Sequence, residues 1–275
     1  MSSNTRLDIS IARTIHINWE TELEAVALGL QEPIDIQSHE TCELGRWIHG
    51  NGMRLYRDLD AIHLLIDAHR RFHEAAQRIV LLRRQKRDGE IAVDLERVRT
   101  LSREIIFRLT EIELDTLGQQ QQPSLSANPL RNFVQTLLNG PYHALPEDRN
   151  ILNVSQARLV HLRWARNLKK AFRNFGRSVD LESSDRCAMG VWLKTTGLTH
   201  HHNLTEIGLL DDAHQSFHFM AERAIRAFHG KWEQHADQSY SEALDLSRKV
   251  IYLLSVIEFK LLDSKVIARE STLID

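Results

Sequence analysis

The chain has 275 residues, of which 42% are hydrophobic and 26% are charged, and its formal net charge at pH 7 is −2. This is the composition of a globular protein with one large domain or two ordinary ones, without the basic excess that nucleic acid or acidic membranes attract. Because no apolar run approaches the roughly 18 residues of a spanning helix and the first residues lack a secretory signal, we expect a cytoplasmic protein with no nucleic acid partner and no membrane insertion.

Apolar residues at helical spacing predict about four helices in the first 120 residues, and no sustained alternation predicts a strand. The first helix spans about residues 7–30, before Pro33. A short second helix begins near position 38 or 41 and contains Cys42. The third spans about 60–84, and a long last helix contains the apolar stripe 95–112. Helices of these lengths predict a small antiparallel bundle.

A stretch of linker composition follows, from about residue 121 to 147. Its first part is polar and contains proline, and its later part, RNFVQTLLNG, predicts a short helix before a turn. We expect this connector to separate two domains, residues 1–120 and 148–275.

The two domains read as copies of one sequence. The only cysteines, Cys42 and Cys187, lie in the similar hexapeptides CELGRW and CAMGVW, and the offset between them, 145 residues, relates the whole chain to itself without a gap. Matched pairs include Arg13 with Arg158 and Glu113 with Glu258. We therefore predict an all-α protein of two tandem antiparallel four-helix-bundle-like domains that arose by duplication.

Four potential metal ligands stand in the same order in each copy. Their spacings are 26, 27 and 4 residues both times, and the last two histidines lie one turn apart on the face of one helix. The ligands are His16, Cys42, His69 and His73 in the first copy and His161, Cys187, His214 and His218 in the second.

Three imidazoles and one thiolate form a tetrahedral set that suits zinc, so we predict two Zn²⁺ ions per chain. Four protein ligands leave no open position for a substrate or a water. Since catalytic zinc generally keeps one position open, a filled shell favours a structural or sensory site, and we expect no enzymatic activity.

The residues around these ligands predict a supporting shell. Each tryptophan that follows the first histidine by three positions shares its face of the helix. A second tryptophan is expected to close the site from the helix of the cysteine, and the glycine beside it to let another helix approach. The predicted shell comprises Trp19, Gly45, Trp47, Phe72, Trp164, Gly190, Trp192 and Phe217.

These motifs, H-x-x-W, then C-x-L-G-x-W, then H-x-x-F-H, resemble the chemoreceptor zinc-binding domain, a bacterial cytosolic four-helix module. The first copy fits throughout, and the second departs only at Met189, where leucine or phenylalanine is usual. The resemblance implies zinc held by the three histidines and the cysteine. It also implies regulation of chemotaxis receptors or cyclic-di-GMP synthases in response to zinc or to oxidants such as hypochlorous acid.

Three functions remain open at this stage. One is a zinc-responsive regulator whose output passes to another signalling protein, because the sequence contains neither a receptor coiled coil nor a cyclase. The second is a redox sensor through Cys42 and Cys187, and the third is a scaffold with permanent zinc. Domains of this family tend to pair, so we expect the two copies to form an intramolecular pseudo-dimer or the chain to form a homodimer.

One further histidine tract, His200-His201-His202, has no counterpart in the first copy. It lies beside Thr199 and Asn203 in a predicted loop. We expect this tract to be solvated rather than to bind a second metal.

Overall fold

The computed structural model describes the backbone of residues 2–120, 148–173 and 182–271, and the side chains of residues 9–116, 154–169 and 182–263. Within these ranges the chain forms helices and turns and no strand, which confirms the all-α prediction. Two compact units are present, Met1–Thr116 and Leu117–Asp275. The predicted connector 121–147, with its short helix, lies outside the described residues.

Unit 1 contains three long or medium helices and two short ones. The predicted third helix is observed with the expected bounds, whereas the first ends earlier than predicted and Cys42 precedes the second helix instead of lying in it. In chain order the elements are α1 (Ser2–Ala27), α2 (Glu43–Trp47), a π-helical turn (Ile48–Gly52), α3 (Met53–Tyr56), α4 (Asp60–Arg84), a 3-10 turn (Asp88–Glu90) and α5 (Ile91–Gln120).

The end of α1 has a local cause. Leu30 donates its N–H to the carbonyl of Ala25, and Gly29 donates to Val26, while Gly29 adopts a positive φ of 75°. These two bonds form a Schellman motif, which satisfies the last carbonyls of a helix and requires a left-handed residue at this position. Glycine meets that requirement without steric cost, so the helix stops here and does not continue to Pro33.

Helices α1 and α5 run antiparallel in unit 1. Residue numbers that increase along α1 are paired with residue numbers that decrease along α5. The contacts are Arg13 with Glu113, His16 with Ser102 and Glu24 with Arg99. Apolar side chains from α1, α4 and α5 fill the space between the helices. The fully buried ones include Leu23, Ile62, Leu65, Ile79, Ile105, Leu109 and Ile112.

Unit 2 repeats this order of helices, without a counterpart of the 3-10 turn among its described residues. Its helix α9 begins and ends at positions that correspond, at the offset of 145, to those of α4. The elements are α6 (Asp148–Arg173), α7 (Ala188–Trp192), a π-helical turn (Leu193–Gly197), α8 (Leu198–His200), α9 (Thr205–His229) and α10 (Glu233–Ser271).

A buried ion pair joins the first and last long helices of each unit. Arg13 lies 2.5 Å from Glu113, and Arg158 lies 2.6 Å from Glu258, with both arginine side chains almost completely buried. A buried pair of this kind contributes little net stability, because desolvation offsets the attraction, but only one register of the two helices satisfies both charges.

Across the described residues, no helix combines the length and the hydropathy that a bilayer crossing needs.

Candidate metal centre

Each cysteine occupies the N-cap position of a short helix. Cys42 has extended backbone angles just before α2, and its Sγ accepts a hydrogen bond from the N–H of Gly45 at 3.2 Å. Cys187 is likewise the N-cap of α7, and its Sγ accepts a hydrogen bond from the N–H of Gly190 at 3.3 Å. A backbone donor and the positive end of a short helix both favour a negative sulfur, so each sulfur is placed where a thiolate is tolerated.

The glycine beside each cysteine is required by the turn that precedes the helix. A Cβ on Gly45 would lie 2.1 Å from the carbonyl oxygen of His39, and one on Gly190 would lie 1.7 Å from that of Ser184. The prediction that Gly45 admits another helix is therefore wrong, since the close neighbour is the backbone of the cysteine's own turn. At Gly190 the His214 side chain also approaches, at 3.3 Å.

Helix α4 presents two imidazoles to the sulfur. His69 and His73 are one turn apart, both buried, with ring centroids 4.7 Å apart. His73 donates its Nδ1 proton to the carbonyl of Gln37 at 3.0 Å, because a carbonyl only accepts. The Nε2 of His73 therefore has its lone pair free to bind a cation.

The ligand atoms of Cys42, His69 and His73 lie within 4.8 Å of one another, and those of Cys187, His214 and His218 do the same. Sγ of Cys42 is 3.4 Å from Nε2 of His69, and the corresponding distance in unit 2 is 3.3 Å. A tetrahedral zinc with ordinary Zn–S and Zn–N bonds would separate sulfur from nitrogen by about 3.5 Å. The donor set therefore fits zinc in both its chemistry and its spacing.

The fourth predicted ligand lies beside this group without joining the close cluster. The ring of His16 packs edge-on against Phe72 and lines the same cavity as the other three, while its Nε2 is hydrogen-bonded to Ser102 at 3.0 Å. In unit 2, His161 is similarly bonded to Ser247 at 3.1 Å, and its ring centroid is 6.2 Å from that of His214. The structure thus brings three predicted ligands into contact in each unit and places the fourth next to them.

Burial sets the protonation of these groups. Desolvation by burial, together with a smaller effect of neighbouring histidines, lowers the pKa of His16 to about 3, that of His69 to about 2 and that of His73 to about 4. In unit 2, burial lowers the pKa of His214 to about 4 and also lowers the pKa values of His161 and His218.

Burial also raises the pKa of the Cys42 and Cys187 thiols, against the opposing effect of the backbone N–H groups. At neutral pH the metal-free centre therefore contains neutral imidazoles, which are ready to bind a cation, and a protonated thiol. Metal binding would release the thiol proton, because only the thiolate is a ligand.

The predicted shell is observed in part against the ligands. Trp19 lies over His73 with ring centroids 5.1 Å apart, and Trp164 lies over His218 at 4.8 Å. Phe72 and Phe217 each pack on the first histidine of their unit. These rings exclude water from one side of each centre.

The other predicted tryptophans belong to the core. Trp47 packs near Tyr56, with ring centroids 6.3 Å apart, and it does not line the cavity that His16, His69 and Cys42 share. Trp192 is likewise buried, on α7. The expectation that Trp47 closes the site is not met, because the helix turns this ring toward α3.

Sequence reasoning also missed residues around the centre. Ser102 and Ser247 recur at the offset of 145 and bond to His16 and His161. Their recurrence is visible in the sequence, but a repeated serine does not by itself indicate a contact with a metal ligand. The tract of three histidines differs from its prediction: His200 and His202 are exposed, but His201 is 6% exposed, at the position that Tyr56 fills in unit 1. His201 is a core residue and joins neither cluster.

Comparison with known families bears on this geometry. Residues 16–80 match the family model of the chemoreceptor zinc-binding domain, a segment that contains all four predicted ligands of unit 1. The resemblance predicted from the sequence is confirmed for this segment. No curated protein and no solved structure matches the chain.

Proposed function

We propose that this protein is a cytoplasmic zinc sensor with one zinc ion in each unit. His16, His69, His73 and Cys42 would hold the first ion, and the corresponding residues of unit 2, His161, His214, His218 and Cys187, would hold the second. The observation that supports this proposal best is the buried cluster of one thiol and two imidazoles, repeated with sulfur to nitrogen distances of 3.4 and 3.3 Å.

Zinc would couple the elements that supply its ligands. His16 belongs to α1, Cys42 to the start of α2 and His69 to α4, so one ion would tie three separate elements together. Structural zinc in small sites contributes roughly 10–16 kcal/mol at neutral pH, which exceeds the few kcal/mol that separate two conformations of a bundle. Gain or loss of zinc would therefore shift the packing of the helices, and a signalling protein of the chemoreceptor or diguanylate cyclase type would respond to the shift.

Metal content tests the proposal. We expect two zinc ions per purified chain, and one in each of the single variants Cys42→Ala and Cys187→Ala, as measured by mass spectrometry of the metal. The matched control is His63→Ala, because His63 lies on α4 but is exposed and hydrogen-bonds to the carbonyl of Arg57. A wild-type chain without zinc, or cysteine variants that keep both ions, would refute the proposal.

A second candidate is a sensor of hypochlorous acid, favoured by the position of the sulfur atom. Zinc would keep Cys42 as a thiolate, whereas burial keeps the metal-free thiol protonated. In the reaction the thiolate sulfur is oxidised by hypochlorous acid to a sulfenic acid, and chloride is released. The sulfur would then bind zinc less tightly.

Limited hypochlorous acid should oxidise Cys42 and Cys187 first and release zinc in parallel. Peptide mass spectrometry, combined with a zinc indicator, measures both events, and the metal-free protein is the control, in which slower oxidation is expected. If methionines are oxidised while both cysteines stay reduced, the redox function is excluded.

A third candidate is a scaffold in which zinc is permanent, favoured by the burial of the ligands. Exchange with isotopically labelled zinc separates the scaffold from the sensor: exchange within minutes is expected for a sensor, and exchange over many hours at cellular zinc levels for a scaffold.

We further propose that the two units derive from one duplicated domain and pair within the chain, or between two chains in a homodimer. The recurrence of helix bounds and of buried ion pairs at one offset supports the duplication. Light scattering should give the mass of one chain for internal pairing and of two chains for a homodimer.

A further inference from the structure

The first histidine of unit 1 is the start of a short chain of hydrogen bonds. Nε2 of His16 lies 3.0 Å from the hydroxyl of Ser102, and this hydroxyl donates its proton to the carboxylate of Glu20. All three residues are buried, with Glu20 only 5% exposed. These hydrogen bonds link α1 to α5 beside the metal centre, and the last acceptor is the carboxylate of Glu20.

These hydrogen bonds determine which nitrogen of His16 carries the proton. A serine hydroxyl has a single proton, and here the carboxylate of Glu20 takes it. Ser102 can therefore only accept from His16, so Nε2 of His16 is the protonated nitrogen and Nδ1 keeps its lone pair. Histidines that bind metals are commonly oriented in this way by a partner on the opposite nitrogen.

Unit 2 lacks the end of this chain. His161 is bonded to Ser247 as His16 is to Ser102, but the position of Glu20 is taken by Ala165, which is also buried. Among the described residues, Ser247 makes no side-chain hydrogen bond other than the one to His161. Its proton is therefore available to His161, and this contact permits either tautomer of the imidazole.

We propose that Glu20 is a positioning residue for the first zinc site: acting through Ser102, it fixes His16 with Nδ1 free to bind zinc, and the lack of this carboxylate makes the second site the weaker one. The inference rests on the proposed function, because it assumes that zinc is bound by His16. Outer partners of this kind typically change metal affinity by about 10–100-fold, so we expect a difference of about 10-fold or more between the two sites.

The experiment measures zinc affinity at site 1 alone. In a Cys187→Ala background, Glu20→Ala is expected to weaken zinc binding about 10-fold or more in competition with a chromogenic chelator. Glu20→Gln keeps an oxygen that accepts from Ser102, so it should restore most of the affinity. The matched control is Glu24→Ala, which removes a carboxylate one turn later on α1 that contacts Arg99 of α5 and not Ser102.

A spectroscopic readout separates positioning from a general loss of structure. Long-range proton–nitrogen NMR spectra of the metal-free protein should show His16 protonated at Nε2 in wild type and in Glu20→Gln. In Glu20→Ala we expect a mixture of tautomers, as for His161 in wild type.

Three outcomes would overturn the inference while leaving zinc sensing intact: equal affinities of Glu20→Ala and Glu24→Ala, tighter binding by Glu20→Ala, or an unchanged tautomer of His16. If wild-type unit 1 binds no zinc, the proposed function and this inference fall together.

Discussion

At the scale of single residues, the metal centre depends on a glycine next to the cysteine. Gly45 has no Cβ, and the backbone of His39 fills the space that a Cβ would need, which draws the turn close enough for Cys42 to cap α2. A side chain as small as alanine would separate the turn from the helix. The sulfur and the glycine are thus parts of one local structure.

Gly45→Ala should destabilise unit 1 by about 1–3 kcal/mol, the usual cost of forcing an atom into a packed site, and should weaken zinc binding there. Denaturant unfolding and chelator competition measure the two effects. Gly50→Ala is the control, because among the described residues no atom beyond the local helical backbone lies within 4 Å of a Cβ at Gly50. Equal effects of the two substitutions would contradict this account.

At the scale of helices, the two units share an unusual end to their second long helix. Lys86 and Lys231 follow α4 and α9 with φ values of 58° and 60°, in the left-handed region that side chains with a Cβ adopt at a cost. Each lies in a Schellman motif, since Arg87 donates to Leu82 and Trp232 donates to Ala227. Glycine is the residue that this position normally takes.

Lys86→Gly should therefore stabilise unit 1 by about 0.5–1 kcal/mol, because relief of the left-handed strain exceeds the added entropy of the unfolded chain. Thermal unfolding of the variant would show a higher midpoint. Gln85→Gly is the matched control, since Gln85 has helical backbone angles and should lose stability when replaced. A lower midpoint for Lys86→Gly would refute the prediction.

The sequence predicted the long helices better than the short ones. The apolar stripe placed α4 correctly, because a long amphipathic helix repeats its pattern many times. The position of Cys42 before α2, and the end of α1 at Gly29, depend on local hydrogen bonds that a spacing rule does not contain.

The metal centre was predicted only in outline for a similar reason. Recurrence at one offset identified the histidines and cysteines, but Ser102 and Glu20 lie 82 residues apart in sequence and meet only in the folded bundle. Trp47 was misassigned because its helix is too short for a residue count to fix the direction of the side chain.

At the scale of the whole molecule, the buried histidines make the metal-free protein sensitive to acid. Their folded pKa values, about 3 for His16, 2 for His69 and 4 for His73 and His214, lie below the ordinary value of 6.5. Below pH 6.5 these histidines bind protons in the unfolded chain but stay neutral in the folded chain. Their contribution to the free energy of unfolding is therefore fully present above pH 6.5 and is lost as the pH falls.

Urea unfolding in the presence of a chelator should therefore show a steady loss of stability from pH 7 to pH 5. Each such histidine contributes at most about 1.4 kcal/mol per pH unit. A stability that stays constant over this range would contradict the assignment of neutral, buried imidazoles.

The segment from Gln37 to Gly45 touches the metal centre at two points. Its carbonyl at Gln37 holds His73, and its sulfur at Cys42 faces His69. Unit 2 has the same arrangement, in which the backbone of Glu182 bonds to His218. If this segment moves, two ligands are disturbed in a single step. Loss of zinc would then proceed without a long-lived intermediate that keeps only one of these two ligands, so each unit would pass directly between a zinc-bound and a zinc-free state.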